Sequence, residues 1–364
     1  MSRPDRPPAV NVPMPGGGGD GLRPAVVAMA GYAPGEQFND PDIVKLNTNE
    51  CPYPPSPRVV AAVREALTGD KLRKYPQPLG DGFRQAAAKV LGVDPDGILI
   101  GNGSDDILTI LTRAFVPDGG RVVTMTPGYV LYKSLAEIQG ATLTQLPFDG
   151  DWQLPDPWPA AGAHLTIVAN PNSPSGTMVQ NSDVTRVAQS CGGPFVLDEA
   201  YADFAESNGL SLLATLPNLV VTRTMSKYYA LAGVRFGFAV THPRLVRELV
   251  KVKDSYNCDV LSLAAATAAI EDQGYYADVR SRIVAVRGRL TVALSELGFR
   301  VTPSHANFVW CVRRDRPLKP IYEALKARKV LVRYMVYPSG EGLRITVGTG
   351  PEVEQLLAEL RRIL

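Results

Sequence analysis

Three short apolar runs in the middle of the chain each end on polar, reactive side chains, and this pattern restricts the fold more than any other feature. Leu165 to Asn170 leads into Pro171-Asn172-Ser173-Pro174-Ser175-Gly176, Phe195 to Leu197 into Asp198-Glu199-Ala200-Tyr201, and Leu219 to Arg223 into Thr224-Met225-Ser226-Lys227. Short apolar runs bounded by turn residues read as buried strands. Helix-like stretches (Pro57 to Leu67, Ile107 to Phe115) alternate with strand-like ones (Arg121 to Met125), which predicts an α/β fold around a mainly parallel sheet. Ligands of such sheets bind beyond the carboxyl ends of the strands, so Asn172, Asp198 and Lys227 are expected in one crevice.

A fourth element points to the same place. Gly101-Asn102-Gly103-Ser104-Asp105-Asp106 precedes Ile107, Leu108 and Leu111, whose spacing marks one helical face, with Ser104 or Asp105 as the N-cap. Backbone N–H groups at such a start can hold a phosphate, although a turn like this is more often only a cap. Lysines are usually solvated, but Lys227 is followed by Tyr228, Tyr229, Ala230, Leu231 and Ala232, surroundings that lower an amine's pKa and make it a nucleophile toward an aldehyde. Pyridoxal phosphate requires a Schiff-base lysine, an acid at its ring nitrogen, a donor to its phenolic oxygen, an aromatic face and an anion cradle. Each has a candidate.

Composition removes the main competitors. With 364 residues, 45% hydrophobic and 20% charged, the chain reads as globular, of two domains or one large core with an appendage. Its 38 basic and 36 acidic residues form no basic stripe, so nucleic acid is not expected as a partner. No apolar stretch reaches the roughly 18 residues of a membrane span, and the start lacks a signal peptide's apolar core, so a cytoplasmic location is expected. Cys51, Cys191, Cys258 and Cys311 are scattered, and His164, His242 and His305 lie in unrelated settings, so neither a disulfide framework nor a metal site is expected. Residues 1 to 24 read as a flexible Pro/Gly-rich tail, 25 to 45 as an N-terminal arm, 46 to 270 as a large domain and 271 to 364 as a small C-terminal α/β domain. Within the last, helices over Ser281 to Leu297, Leu318 to Lys329 and from Pro351 alternate with strands near Arg300 to Thr302, Phe308 to Val312, Val330 to Arg333 and Leu343 to Val347.

The ordered motifs resemble those of the fold type I pyridoxal-phosphate aminotransferases, and within that group the histidinol-phosphate aminotransferase family. They run from Gly31-Tyr32-Ala33-Pro34-Gly35 through Lys45-Leu46-Asn47-Thr48-Asn49-Glu50, Tyr75-Pro76, the Gly-Asn-Gly-Ser-Asp-Asp turn, Pro127-Gly128-Tyr129, Asp198-Glu199-Ala200-Tyr201 and Thr224-Met225-Ser226-Lys227 to Ala230-Leu231-Ala232-Gly233-Val234-Arg235 and Leu343-Arg344-Ile345-Thr346-Val347-Gly348-Thr349. The resemblance implies a large domain with a mainly parallel seven-stranded sheet and a smaller C-terminal domain. It makes Lys227 the Schiff-base lysine and proton carrier, Asp198 the partner of the pyridine nitrogen, Tyr201 the donor to the phenolic oxygen and Tyr129 the stacking ring. Ser104, Asp105, Thr224, Ser226 and Arg235 would hold the phosphate, with Tyr75 reaching it from the neighbouring subunit of a homodimer. Tyr32, Asn49, Arg333 and Arg344 fall at substrate positions, where paired arginines suit the phosphate of histidinol phosphate in one half-reaction and a carboxylate of glutamate or 2-oxoglutarate in the other.

One motif departs from the family. Asn-Pro-Thr-Gly is replaced by Ser173-Pro174-Ser175-Gly176, so either Asn172 or Ser173 takes the place of the usual asparagine at the phenolic oxygen. A relative with another substrate, such as an aromatic aminotransferase or a threonine-phosphate decarboxylase, would carry nearly the same motifs. A regulatory module that kept the fold without the chemistry would be expected to lack the lysine or carry a DNA-binding domain.

Overall fold

The computed structural model describes residues 21–29, 31, 35–38, 40–160 and 162–364. Tyr32 and residues 1–20 of the expected tail lie outside them. A seven-stranded sheet is ordered Ile98–Gly101, Gly237–Val240, Leu219–Thr224, Phe195–Asp198, Leu165–Ala169, Arg121–Thr126 and Thr142–Pro147. Gly237–Val240 alone runs against its neighbours. Phe195–Asp198 and Leu219–Thr224 are buried along their whole length, which is why their first three residues read as continuous apolar runs rather than alternating ones.

After Arg121–Thr126 the chain adds Thr142–Pro147 on one side and then Leu165–Ala169 on the other. The reversal opens a crevice at the strands' carboxyl ends. The helix Ser104–Phe115 lies against the sheet through Ile107, Leu108 and Leu111, all fully buried. Burying each such side chain stabilises the fold by about 1.5–3 kcal/mol. Trimming Leu111 to Ala, which also opens a cavity, would cost about 2–5 kcal/mol. Within the described residues no helix is long and apolar enough to cross a membrane.

The C-terminal part builds a four-stranded antiparallel sheet ordered Arg333–Tyr337, Gly340–Thr346, Phe308–Val312 and Arg300–Val301. The helices Gln273–Glu296, Leu318–Ala327 and Gly350–Ile363 pack with it. The first begins well before the expected Ser281, because Tyr276 and Val279 continue the buried stripe of Ile283, Val286, Leu290 and Leu294. The expected strand Val330 to Arg333 divides in two. Val330–Leu331 pairs in parallel with Val44–Lys45, and Arg333 opens a separate strand beside Gly340–Thr346. Leu46 and Asn49 are also hydrogen-bonded to Thr346, so the expected boundary at residues 45 and 46 falls inside a segment tied to the C-terminal strands. At the other end of the arm, Pro24–Ala28 forms a short helix beside which Arg23 donates to the Ile138 carbonyl. One apolar core, from Phe83 and Ile100 to Ile283 and Leu343, runs beneath both sheets.

Candidate active site

The crevice is lined from the ends of five parallel strands and from the C-terminal sheet, with Lys227 and Asp198 on its floor. Lys227 follows the turn after Leu219–Thr224, and its Nζ donates to the Thr48 carbonyl at 3.0 Å. Burial lowers its pKa to about 8, the nearby Arg344 charge acts in the same direction, and Glu50 and Asp105 oppose them. Asp198 ends the strand Phe195–Asp198 and is 4% exposed. Tyr132 Oη donates to one of its oxygens at 2.7 Å, while Thr222 Oγ1 at 3.0 Å and the Ala200 N–H at 3.3 Å donate to the other. Burial raises its pKa, against those donors.

Glu199, the next residue, shows what Asp198 lacks. Its carboxylate is also fully buried but meets the Arg223 guanidinium at 2.7 Å. Among the described residues Asp198 and Lys227 make no ion pair, so two buried ionisable groups face one crevice with only neutral hydrogen-bond partners. Burying a charge that way is costly unless a complementary group enters with the ligand.

The anion cradle forms where Gly103, at φ 88°, turns into the helix that Ser104 begins. The first N–H groups of that helix, those of Ser104 and Asp105 included, have no intrahelical acceptor. Arg235, itself at φ 57°, donates to Ser226 Oγ at 3.2 Å, and Thr224 Oγ1 accepts from the Ser226 N–H. The cradle is tightly built: a Cβ on Gly103 would lie 2.6 Å from the Arg235 guanidinium. The Asp105 carboxylate accepts from Tyr129 Oη at 3.3 Å and lies 3.5 Å from Arg235, so only its backbone N–H is suited to an anion.

Ser173 and Asn172, the two candidates at the phenolic oxygen, are placed differently. Ser173 lines the crevice, and its Oγ accepts from Arg344 at 3.1 Å. Asn172 turns its buried amide away from the crevice lining, donating one hydrogen to the Pro127 carbonyl of a neighbouring loop and the other to Ser175 Oγ of its own turn. Tyr201 lines the crevice with its ring edge against Phe308, and Asn49, expected near substrate, donates to its hydroxyl at 2.9 Å. Tyr129 stands over the floor, edge to face with Tyr132.

Arg333 and Arg344 also reach the crevice, and they are cross-strand partners in the antiparallel pair. Arg344 also donates to the Asn47 carbonyl at 3.0 Å. Like charges directly opposite one another destabilise a sheet, an arrangement that an anion relieves. Tyr75 is not in the crevice of its own chain; it is 78% exposed and stacks on Tyr256 at 4.3 Å. Sequence reasoning missed Tyr132, Thr222 and Thr48. Only Tyr132 left a signal, standing one helical turn after Tyr129 at the entry to Leu131–Gln139.

Residues 41–360 match the family model for aminotransferase class I and II. A histidinol-phosphate aminotransferase of Rhodopirellula baltica is 48% identical over 94% of this chain and 95% of its own, and one of Trichormus variabilis 45% identical over 94% and 99%. The chain belongs to the class I and II aminotransferases, in the histidinol-phosphate aminotransferase family. Among solved structures, a histidinol-phosphate aminotransferase of Sinorhizobium meliloti in complex with pyridoxal-5'-phosphate superposes with a TM-score of 0.83 at 27% identity, over 95% of this chain and 98% of that one. An aspartate aminotransferase of Thermus thermophilus shares the fold at 20% identity, with a TM-score of 0.79 over 94% and 100%.

This aminotransferase uses pyridoxal phosphate. Its crevice fits the group, whose aldehyde, ring nitrogen and phosphate match the amine of Lys227, the carboxylate of Asp198 and the cradle at Ser104 and Arg235. A bound pyridinium would give Asp198 the cation that Arg223 gives Glu199.

Proposed function

We propose that the enzyme transfers the amino group of histidinol phosphate to 2-oxoglutarate, producing imidazole acetol phosphate and glutamate in histidine biosynthesis. The observation that carries the substrate class is the register of Arg333 against Arg344, which sets two guanidinium groups at the mouth of a crevice whose floor is a buried lysine. Two planar, two-point donors suit the phosphate of one substrate and a carboxylate of the other. The names of the relatives agree with that choice.

Bound pyridoxal phosphate supplies a carbonyl that takes up the amino group and a ring that draws in the electron pair left at Cα. The rest is done by the protein. Lys227 Nζ carries the proton between the substrate Cα and C4′ of the cofactor, its lowered pKa leaving it partly neutral near pH 8. Asp198, steadied by Tyr132 and Thr222, holds negative charge at the ring nitrogen and keeps it protonated. Tyr201 donates to the phenolic oxygen, Tyr129 covers the ring, and Ser104, Thr224, Ser226 and Arg235 hold the phosphate. Ser173 takes the place of the family's asparagine.

Purified enzyme supplied with 2-oxoglutarate should give a kcat/KM for histidinol phosphate well above those for phenylalanine, tyrosine and unphosphorylated histidinol. If an aromatic amino acid wins, the arginines serve amino-acid carboxylates and the proposal fails.

The same reading makes the enzyme a cytoplasmic homodimer in which Tyr75, exposed on its own chain, reaches the cofactor phosphate of the second copy. Four free, scattered cysteines accord with a reducing compartment. Mixing Lys227→Ala chains with Tyr75→Ala chains should restore activity, because a heterodimer carries one intact site. No gain while subunits demonstrably exchange would refute the shared site.

A further inference from the structure

Asn49 sits at φ 58°, a left-handed conformation in which asparagine is among the few tolerated non-glycine residues, and it is 1% exposed. Its polar groups are engaged by the C-terminal sheet and by Tyr201. The backbone N–H donates to Thr346 Oγ1 at 3.0 Å, the backbone carbonyl accepts from Asn307 Nδ2 at 3.0 Å, and Oδ1 accepts from Thr346 Oγ1 at 3.1 Å. Nδ2 donates to Tyr201 Oη at 2.9 Å.

The donors run in one direction through this chain of groups: Thr346 Oγ1 accepts from the Asn49 backbone N–H and donates its own hydrogen to Asn49 Oδ1, and the amide NH2 on the other side of Asn49 faces Tyr201. Tyr201 Oη therefore accepts from Asn49, and its single proton is directed away from Asn49. Thr346 ends the strand Gly340–Thr346 and pairs with Phe308, the residue whose ring meets the Tyr201 ring at 4.9 Å. The C-terminal sheet thus sets both the ring and the hydroxyl of a residue that belongs to the large sheet's strand ends.

We propose that Thr346 and Asn49 form a relay that points the Tyr201 proton at the phenolic oxygen of the cofactor, so that the packing of the C-terminal sheet on residues 46–49 governs this contact. Asn49 and Thr346 are positioning residues that act through Tyr201. The inference rests on the assignment of Tyr201 as that donor.

The test follows the pH midpoint of the visible absorption band of the pyridoxal-phosphate-loaded enzyme, a signal independent of turnover. A donor at the phenolic oxygen draws charge away from the neighbouring imine nitrogen at Lys227, so losing it should raise the midpoint. Tyr201→Phe should shift it up by about half to one pH unit, the scale of one neutral hydrogen bond. Asn49→Asp keeps the shape but places an acceptor opposite Tyr201, turning its proton away, and Thr346→Val removes the group that orients the amide. Both should raise the midpoint, and Thr346→Ser should leave it unchanged. In a Tyr201→Phe background, Thr346→Val, which changes no charge, should add little further shift, because the relay then has nothing to orient. A midpoint unmoved by Thr346→Val in correctly loaded protein, or a Thr346→Val shift that simply adds to that of Tyr201→Phe, would overturn the relay while leaving the role of Tyr201 standing. No shift with Tyr201→Phe would overturn both.

Discussion

The floor of the crevice and the seam that covers it are built in opposite ways. On the floor, Lys227 and Asp198 are buried charges-in-waiting, each held by neutral donors or acceptors. In the seam, where residues 45–50 meet the strands Phe308–Val312 and Gly340–Thr346, Lys45 is paired with Glu50 and Asn49 with Thr346, and Arg344 is the exception, held by the neutral Asn47 carbonyl and Ser173 hydroxyl and placed to meet its counter-charge on the substrate. Glu199 and Arg223 extend that self-sufficient style directly beneath the floor. Groups that lack protein counter-charges are those the cofactor completes, whereas groups that are fully paired hold the site in shape.

The largest effect expected of this contrast is on the floor. Lys227→Ala should lower turnover by at least about 10^4-fold, the upper end of what general acid–base catalysis alone supplies. Undiminished turnover would remove Lys227 from the mechanism. In the seam, Arg344→Ala should cut kcat/KM for histidinol phosphate by roughly 30-fold to several thousand-fold, corresponding to about 2–5 kcal/mol for a lost charge-assisted contact. Arg344→Lys should recover little, since an ammonium cannot make the planar two-point contact. Recovery to near the parent value would mean that the site reads charge and not shape.

The neighbouring acids separate the two styles most sharply. Asp198→Asn should slow single-turnover proton abstraction by about 10^2 to 10^3-fold, as expected for a lost preorganised charge, with the urea midpoint of the cofactor-free protein unchanged or raised. Glu199→Gln should do the reverse: unfolding stability falls by about 3–5 kcal/mol because Arg223 loses half of its buried pairing, while the visible band remains. Equal effects of the two on stability would erase the distinction between the two acids.

The smallest effect is the stability cost of the floor itself. Lys227 titrates at about 8 when folded, against 10.5 for an ordinary lysine. Between those values the unfolded chain binds more protons, so the stability of the cofactor-free protein should rise with pH from about 8 to 10.5. Below pH 8 the full penalty applies, and Lys227→Met should be the more stable cofactor-free protein there, by up to about 3 kcal/mol on the scale of 1.36 kcal/mol per pH unit. Chemical denaturation at pH 7 and pH 10.5 tests the sign; a Lys227→Met protein less stable at pH 7 would show that the amine is not strained.

Much of the floor was legible because each of its residues lies one or a few positions beyond a strand, and strand ends of a parallel sheet converge whatever the intervening helices are. Asp198 and Lys227 needed only the apolar runs before them to be placed. Asn172 illustrates the limit, because adjacent residues in a tight turn point in different directions, and only the tertiary bonds of its amide, to Ser175 in the turn and to Pro127 in a distant loop, show where it points. Tyr132, whose place one turn after Tyr129 hints at the site, is a partner of Asp198 66 residues away, and nothing local to it says that it meets that carboxylate.

Local pattern thus determined the α/β class, the strand ends and the residue types that make pyridoxal chemistry possible, because burial and turn formation depend on neighbours in the chain. The tertiary structure alone decided that Val44–Lys45 pairs with Val330–Leu331, that Arg333 stands opposite Arg344, and that Thr346 orients Asn49 on Tyr201. Apart from the Arg333–Arg344 hairpin, those contacts join segments between 152 and 297 residues apart, where register is set by packing of the shared core and by backbone hydrogen bonds that no local periodicity encodes.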